Sequence, residues 1–364
     1  MSYACALVWT RRAQDSLPKR CSLVTVMPDV QAANPGFVFE TLLAYQRTAA
    51  LRAAIEIDLF AALGAGPAGS VELARRCGVS ERGARILCDY LTTIGLIEKE
   101  GSTYRHSPTS ATFLDPRSPA SMASIVRLLG HPDILRPWEA LTEIVRSGRT
   151  VLPGEGTVEP ENPVWVEFAN SMVPMVAPAI APLAQAVLSH RPGPIRVLDI
   201  AAGHGMFGIE IARQNPAARI VALDWGPVLA VAKENARAAA VLERMEFLAG
   251  SAFDVEYGGP YDAVLLTNFL HHFDEATCVG LLRKVRSALA PGGIAATLEF
   301  VPNEDRVSPV MAAQFSMMML GTTVKGDAYT LRDLERMHLA AGFTGLARDA
   351  IPVGPQTIVI GKTQ

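Results

Sequence analysis

The stretch from Val197 to Ile209 combines residues whose types and spacing suit the binding of a nucleoside or a phosphate group. An apolar, β-branched run from Ile195 to Ile200 predicts a parallel strand that is buried on both faces. The next five residues, Ala201 to Gly205, form a turn with almost no side chains, and a helical pattern of apolar residues follows. Because glycine lacks a Cβ atom, a ligand can approach the backbone of such a turn closely. The sequence therefore predicts a Rossmann-type binding unit here.

Two carboxylates accompany this turn. Gly203, Gly205 and Gly208 fit the pattern G-x-G-x-x-G, but Asp199 lies inside the strand, four residues before the first glycine. A second short apolar run ends in Asp224, at about the 20-residue spacing at which an acidic residue binds a ribose diol. An aspartate that ends a strand can equally cap the next helix, so Asp224 alone leaves both roles open.

The pattern D-x-A-x-G-x-G, from Asp199 to Gly205, resembles motif I of the class I S-adenosylmethionine (SAM) methyltransferases. Together with Asp224, this resemblance implies that the cofactor is SAM rather than NAD. No metal ion is expected in the site.

Strands and helices alternate from Ile195 onward. The predicted strands are 195–200, 219–223, 244–248, 261–266, 293–299, 345–351 and 356–361, and the helices between them begin near residues 205, 227, 275, 306 and 330. Such alternation predicts an α/β fold with a largely parallel, Rossmann-like sheet and helices on both faces. The short turn 352–355 predicts that the last strand is reversed, as in the sheet of SAM methyltransferases.

His271 is the strongest candidate for a catalytic base. It follows the fourth predicted strand, and ligands of parallel sheets bind over the carboxyl ends of the strands. An imidazole, with an ordinary pKa of about 6.5, can accept the proton of a phenol or a thiol as a methyl group is transferred. Glu299 ends the adjacent strand and can hydrogen-bond the other ring nitrogen, which fixes the tautomer. A lone histidine is more often structural, but His272 and Glu299 favour the catalytic interpretation.

At these residues the sequence resembles the plant-type small-molecule O-methyltransferases, which include caffeate, polyketide and hydroxyindole enzymes. The resemblance extends from Pro35 to Lys362 and includes motif I, the Leu-His-x-Phe segment 270–273 and the Ala-Pro-Gly-Gly turn 290–293. It implies that His271 is the base and Glu299 its hinge partner. The expected cofactor-binding residues are Asp199, Ala201, Gly203, Gly205, Asp224, Trp225, Ser251, Ala252, Phe253 and Asn268. Candidates for the substrate pocket, for which plain core packing is the alternative, are Phe168, Met172, His272 and Met318.

The sequence departs from the family pattern at three positions. Ser251 replaces a carboxylate in the segment that holds adenine, which predicts a looser grip on that base. His272 replaces the aspartate that usually follows the catalytic histidine. The second hinge glutamate, expected just before Thr330, has no clear equivalent, since Asp327 is out of register.

The N-terminal half predicts a winged helix over 35–118, within an otherwise all-α domain. Between residues 35 and 110 we count eight Arg plus Lys and eight Asp plus Glu, so the net charge of this segment is zero. Proteins that read DNA normally carry a basic excess, because phosphate neutralisation supplies most of their affinity. We therefore expect a dimerisation domain that forms a homodimer, and no nucleic-acid partner.

The remaining segments are less informative. We expect residues 1–34 to be a disordered tail or an over-called start, and 119–190 to be a helical connector broken at prolines 132, 137, 174, 178 and 182. Within this connector, the loop 147–163 is a mobile flap or a plain surface loop, and the SAM-binding domain is expected over 191–364. No apolar run approaches the roughly 18 residues that span a bilayer, so no membrane contact is expected. The five cysteines form no C-x-x-C pair, which favours a cytoplasmic location.

These features predict a SAM-dependent methyltransferase that acts on a phenolic or enolic oxygen of a small molecule. Methylation of sulfur, carbon or nitrogen by the same fold remains open, because those reactions need less from a base. A SAM-sensing winged-helix regulator is the alternative from another class. It requires a basic recognition helix, which the sequence lacks.

Overall fold

The computed structural model describes residues 33–350 and 354–363, with the backbone alone for 348–350. Two compact units meet in sequence between Gly130 and His131, which lies inside the connector predicted at 119–190. The expectation for residues 1–34 falls outside the described residues, apart from the last two. Of these, Asn34 caps the first helix by accepting a hydrogen bond from the Gly36 backbone N–H at 2.9 Å.

The first unit is a winged helix with one helix on its N-terminal side. Its elements are α1 (Pro35–Glu56), α2 (Leu59–Gly64), β1 (Ala68–Gly69), α3 (Ser70–Cys77), α4 (Glu81–Thr93), β2 (Ile97–Glu100), β3 (Thr103–His106), α5 (Pro108–Phe113) and α6 (Ile125–Leu129). The strands form an antiparallel sheet in the order β1-β3-β2. Gly78 ends α3 with φ +68°, and the Ser80 hydroxyl caps α4 by accepting from the Gly83 N–H. The two-residue strand β1 and the short helix α5 are parts of this unit that the sequence did not predict.

Helix α1 carries an uncovered apolar surface. The side chains of Phe37, Phe39, Leu42 and Tyr45 are each more than 60% exposed. Only its C-terminal part, around Ala54, enters the core that Leu73, Leu91 and Tyr104 share. Apolar side chains of this size rarely stay in water without a partner surface.

The second unit is a seven-stranded sheet covered by helices on both faces. Before the sheet come α7 (Pro132–Glu139), α8 (Leu141–Ser147), α9 (Val164–Ser171) and α10 (Val173–His190). The alternating part consists of β4 (Arg196–Ile200), α11 (Met206–Gln214), β5 (Arg219–Asp224), α12 (Gly226–Ala238), β6 (Met245–Ala249), β7 (Tyr261–Thr267), α13 (Glu275–Ala288), β8 (Leu289–Phe300), α14 (Val310–Thr322), α15 (Leu331–Ala340), β9 (Gly345–Ala350) and β10 (Gln356–Lys362). Short 3₁₀ turns lie at Leu242–Arg244 and Leu270–His272.

The strand order is β6-β5-β4-β7-β8-β10-β9. Strands β4 to β8 run parallel, and β10 is antiparallel to both of its neighbours. The fold class and the single reversed strand are thus confirmed. One apolar cluster fills each face of the sheet, and the alternation of Leu198 and Val197 between the two clusters is typical of a strand buried on both sides.

Helix α14 begins later than the sequence predicted, at Val310 rather than near 306. The reason is a tight turn in which the Asp305 carboxylate accepts from the N–H groups of Val307 and Ser308, both at 3.0 Å. This local bonding competes with helix formation, as aspartate side chains often do.

Two of the five prolines, Pro132 and Pro174, lie in the first turns of α7 and α10 and so mark helix boundaries as expected, but the other three do not break a helix. Pro137 lies inside α7, and Pro178 and Pro182 lie inside α10. With Pro174, the prolines of α10 recur every four residues on a face that is not buried, where water can satisfy the carbonyls that lose their N–H partner. Helix α10 is also long and apolar enough to cross a membrane by length and composition, which the sequence analysis missed. Its opposite face packs in the core of the sheet.

The loop 147–163 is anchored to the C-terminal end of α14. The Thr150 hydroxyl donates to the Gly321 carbonyl at 2.6 Å, and the Thr157 N–H donates to the Thr322 carbonyl at 2.9 Å. Both threonine side chains are buried. These bonds satisfy carbonyls that the end of a helix otherwise leaves unpaired, so the segment is a strap rather than a free flap.

Candidate active site

A glycine turn follows β4 at the position where the sequence predicted it. Ala201, Gly203 and Gly205 all have positive φ angles, of 53°, 55° and 72°. A Cβ atom on Gly208 would lie 2.7 Å from Ile220 Cγ2, so this third glycine serves the packing of α11 against β5. A Cβ atom on Gly205 would lie 3.0 Å from Ala232 Cβ, so Gly205 also serves packing, against α12, and Gly203 is the glycine of the three that leaves room for a ligand, with the nearest atom to its Cβ position 3.8 Å away.

Asp199 lies fully buried beneath this turn. Its Oδ2 atom accepts from the Gly208 N–H at 3.2 Å, and its Oδ1 atom has no hydrogen-bond partner among the described residues. Burial raises the pKa of Asp199 to about 7. The carboxyl group is thus held in place by the start of α11.

Asp224, at the end of β5, contacts the glycine turn that follows β4. Its carboxylate accepts from the Gly203 N–H at 2.8 Å and from the Trp225 N–H at 2.7 Å. Burial raises its pKa to about 6, although both of these bonds favour the charged form. A carboxylate has about four acceptor positions, so two remain for the hydroxyl groups of a ribose. The residues present therefore fit the nucleoside part of SAM.

The segment after β6 supplies an aromatic surface. The Ser251 hydroxyl accepts from the Phe253 N–H at 3.1 Å, and Lys284 Nζ donates to the Phe253 carbonyl at 2.8 Å. Phe253 remains 39% exposed and packs edge-on against Phe273, with ring centroids 4.9 Å apart. Ala252 beside it is buried. The serine that replaces the family carboxylate thus stabilises its own loop and leaves a flat ring face open.

His271 and Glu299 are in direct contact. Strand β7 ends at Thr267, and Asn268, with φ 55°, redirects the chain into the 3₁₀ turn that carries His271. Glu299 Oε2 accepts a hydrogen bond from His271 Nδ1, while Oε1 accepts from the N–H groups of Phe269 and Leu270 at 3.0 and 2.8 Å. Both side chains are buried. One carboxylate therefore fixes both the turn and the ring.

Asp327, the residue nearest to the position of the family's second hinge, directs its carboxylate to groups other than the His271 ring. The Asp327 carboxylate accepts from Arg306 at 3.2 Å and from the Ala328 N–H, while its backbone N–H donates to the His271 carbonyl at 2.9 Å. Asp327 thus supports the backbone of His271 but not its imidazole. This agrees with its being out of register.

Aromatic rings surround the histidine pair. Phe315 of α14 meets the His271 ring edge-on at 4.8 Å and stacks on Phe300 at 4.0 Å. The His272 ring lies 4.3 Å from that of His271 and 5.1 Å from that of Trp165. Sequence reasoning missed Phe315 and Phe300. The signal for Phe315 was the Met-rich stretch of α14, whose inward-facing side the sequence alone cannot identify.

The remaining predicted residues are placed as follows. Phe168 stacks on His204 at 6.4 Å, and its Cε1 atom lies 3.8 Å from the position of a Cβ on Gly203, so it covers the glycine turn. Met172 is buried at the junction of α9 and α10, and Met318 is half-buried on α14. The amide oxygen of Asn268 accepts from Gln356 Nε2 of β10, a partner that the sequence did not reveal.

Known proteins resemble this chain over nearly its whole length. An O-methyltransferase domain matches residues 187–344, and an O-methyltransferase dimerisation domain matches residues 39–116. The 3-hydroxy-5-methyl-1-naphthoate 3-O-methyltransferase of Streptomyces sahachiroi is 33% identical over 303 residues, which are 79% of this chain and 85% of that protein.

Solved structures of methyltransferases also resemble this chain. A crystal structure assigned to the O-methyltransferases, from Nostoc punctiforme PCC 73102, has a TM-score of 0.88 and 46% identity, and the match covers 91% of this chain and all of that one. Human N-acetylserotonin methyltransferase in complex with SAM shares the fold, with a TM-score of 0.78 at 21% identity over 93% of this chain and 99% of that one. The chain therefore belongs to the O-methyltransferase family, whose methyl donor is SAM.

Proposed function

We propose that this enzyme methylates a phenolic hydroxyl group of a small aromatic molecule, with His271 as the general base. The observation that carries the proposal is the hydrogen bond between His271 Nδ1 and Glu299. A carboxylate can only accept hydrogen bonds, so the Nδ1 atom that bonds Glu299 carries a proton. The other ring nitrogen, Nε2, then keeps its lone pair. The imidazole is thus set to accept a proton.

The buried position of Glu299 adds to this. Two backbone N–H groups and one imidazole N–H donate to its two oxygens, and these hydrogen bonds compensate the negative charge of a carboxylate. When His271 takes up a proton, the resulting imidazolium is stabilised by the carboxylate already in place. The cost of reorganisation during the reaction is therefore small.

The glycine turn, Asp224 and Phe253 are proposed to hold SAM. When bound, SAM would supply a methyl group attached to a positively charged sulfur. The acceptor oxygen would attack the methyl carbon, and the sulfur would leave as part of S-adenosylhomocysteine. The Gly203 backbone would leave room for the ligand, Asp224 would accept hydrogen bonds from the ribose hydroxyls, and the exposed ring of Phe253 would offer a face to adenine. These residues position the donor, while His271 removes the proton of the acceptor.

The walls of the site support a flat acceptor. Phe315, Trp165 and His272 present rings around the His271 imidazole, and aromatic side chains of this kind sandwich planar molecules. The Streptomyces sahachiroi relative acts on a hydroxyl of a naphthoate, as its name states. A phenol or naphthol is therefore a better candidate than an aliphatic alcohol.

The test measures S-adenosylhomocysteine (SAH) released from SAM with a panel of phenols, naphthols, thiols, amines and enolic acids. We expect turnover on phenols, which His271→Ala reduces by about 10²- to 10⁴-fold. His190→Ala, at the end of α10, is the matched control and should behave as wild type. Turnover confined to thiols or carbon acids, and insensitive to His271→Ala, would instead establish S- or C-methylation by the same fold.

We further propose that residues 35–118 form a homodimer in which α1 is covered. The exposed apolar side chains of α1 support this, since a second copy of the chain removes them from water. The double variant Phe39→Ser, Leu42→Ser should shift the protein from dimer to monomer in light scattering. Val71→Ser, an exposed apolar side chain on α3, is the control. A dimer of unchanged stability in the double variant would contradict the proposal.

A further inference from the structure

The segment 323–329 connects α14 to α15 and contacts the turn that carries His271. It forms no regular helix, so its backbone groups are not paired with one another as those of a helix are. The Asp327 N–H donates to the His271 carbonyl at 2.9 Å, and the Tyr329 hydroxyl donates to the Phe273 carbonyl. We call residues 323–329 the clamp, because they bond two backbone carbonyls of this turn.

Gly326 lets the backbones of the clamp and the turn approach closely. A Cβ atom at this position would lie 2.3 Å from the His271 carbonyl oxygen and 3.1 Å from the His272 carbonyl carbon. Ordinary contacts of a Cβ atom are 3.4 Å or longer, so an alanine here would push the two backbones about 1 Å apart. The φ angle of Gly326 is not in the left-handed region. The glycine is therefore required by its contact with the turn and not by its own backbone conformation.

Buried hydrogen bonds anchor the start of the clamp. The Thr323 hydroxyl accepts from the Gly326 N–H at 2.9 Å and donates to the Met319 carbonyl of α14 at 2.7 Å. The strap reaches the same residue, since the Thr150 N–H donates to the Thr323 carbonyl at 3.2 Å. The Thr323 side chain is buried, so these bonds are shielded from water. Thr323 thus links α14, the strap and the clamp.

We propose that the clamp positions the catalytic base, with Gly326 and Thr323 as positioning residues that act through the backbone of His271. The inference rests on the proposed function, because it takes His271 as the base. Glu299 bonds the His271 ring and fixes its tautomer, whereas the clamp bonds the carbonyl of the same residue. A catalytic group that is displaced by about 1 Å can lose about 100-fold in rate.

A positioning role is distinguished from a merely structural one by the step that it affects. A neutral phenol must lose its proton to the base, whereas a nitro-substituted analogue that is ionised at the assay pH has already lost it. Displacement of the base therefore lowers kcat on the neutral acceptor more than kcat on the ionised one. A general loss of folded enzyme lowers both by the same factor.

The experiment measures the ratio of kcat on the neutral phenol to kcat on its ionised analogue, with SAH affinity and thermal unfolding on the same samples. Thr323→Val keeps the shape of the side chain and removes the hydroxyl that accepts from Gly326, and Thr323→Ser restores a hydroxyl. Thr322→Val is the matched control. The Thr322 side chain is also buried, and its hydroxyl donates to the Met318 carbonyl at 2.8 Å, one residue before the clamp.

A second pair of variants tests the close approach of the two backbones. Gly326→Ala separates the clamp from the turn. Gly361→Ala, on β10, is its control, because a Cβ atom there would lie 2.7 Å from the His338 ring, which is a similarly close contact outside the turn. If Gly326→Ala does not fold, the threonine variants decide the question alone.

We expect the ratio to fall about tenfold in Thr323→Val and about 100-fold in Gly326→Ala, and to recover in Thr323→Ser. Thr322→Val and Gly361→Ala should keep the wild-type ratio even where they unfold at a lower temperature, and SAH affinity should be unchanged throughout. Equal losses on the two acceptors, or a ratio that falls as far in Thr322→Val as in Thr323→Val, would overturn the positioning role and leave the proposed function intact. Turnover of the neutral phenol that is insensitive to His271→Ala would overturn both.

Discussion

Replacing Glu299 by Gln is the change whose consequence the structure specifies most closely. The backbone N–H groups of Phe269 and Leu270 both point at Glu299 Oε1, so the amide oxygen of a glutamine must stay there. The amide NH₂ group then occupies the position of Oε2, facing His271 Nδ1. Because NH₂ donates, Nδ1 must become the acceptor and the ring proton moves to Nε2. The variant thus holds the base in the wrong tautomer.

The expected decrease in kcat equals the contribution of general-base catalysis, which the variant no longer makes. General-base catalysis contributes about 10²- to 10⁴-fold, so kcat should fall by that factor, which is about 3 to 5 kcal/mol of activation free energy. The fold should survive, because two of the three bonds remain and the net cost of the third is at most about 3 kcal/mol. SAM binding should be unchanged, since Asp224 and Gly203 are untouched.

The assay is SAH release at saturating acceptor, with SAH affinity by calorimetry and thermal unfolding measured on the same samples. Glu246→Gln, an exposed carboxylate on β6, is the control for the loss of one charge. If Glu299→Gln keeps kcat within about threefold while remaining folded, the tautomer argument is wrong, since general-base catalysis is worth far more than that.

Three further predictions concern the cofactor site and the packing around it. With a pKa of about 6, Asp224 is ionised above that pH, so SAH affinity by calorimetry should rise as pH increases through 6, and Asp224→Asn should bind weakly and without this dependence. A pH-dependence unchanged in Asp224→Asn would contradict the assignment. Gly208→Ala should lower the free energy of unfolding by about 1 to 3 kcal/mol, because its Cβ meets Ile220, whereas Gly280→Ala in α13, where nothing lies within 4 Å, should be neutral or stabilising in urea titrations. Equal effects of the two would refute the packing role. Thr157→Val should cost about 1 kcal/mol by the same measurement, because its hydroxyl donates to Thr322, and a neutral result would mean that the backbone bonds alone hold the strap.

The fold was predictable because short apolar runs and turn residues in the sequence indicate where most of its strands and helices lie. The predicted strands 195–200 and 356–361 correspond to β4 and β10, with ends shifted by one residue. Buried parallel strands are nearly continuous apolar runs, and the glycine turn has few alternatives in such a setting. The late start of α14, and the continuation of α10 through its prolines, were not predictable from the local preferences of the residues. Both depend on which backbone groups find another partner, a side chain in one case and water in the other.

The candidate site was predictable only where it follows from the ends of strands. Parallel topology brings the ends of β7 and β8 together, so contact between His271 and Glu299 could be expected. Two other contacts could not be expected. The hydrogen bond from the Leu270 N–H to Glu299 depends on side-chain geometry, and the bond between Asn268 and Gln356 depends on the register of β10. Phe315 lies on α14, a largely apolar helix, and the weak periodicity of such a stretch does not show which side of the helix faces the site.

The most direct test of His271 as a base compares two acceptors in wild type and in His271→Ala. One is a phenol that is neutral at the assay pH, and the other is its nitro-substituted analogue, which is already ionised. The account predicts that the variant loses about 10²- to 10⁴-fold in kcat on the neutral phenol and less than about tenfold on the ionised one, because only the first needs a proton removed. Equal losses on the two acceptors would contradict it and make His271 a binding residue.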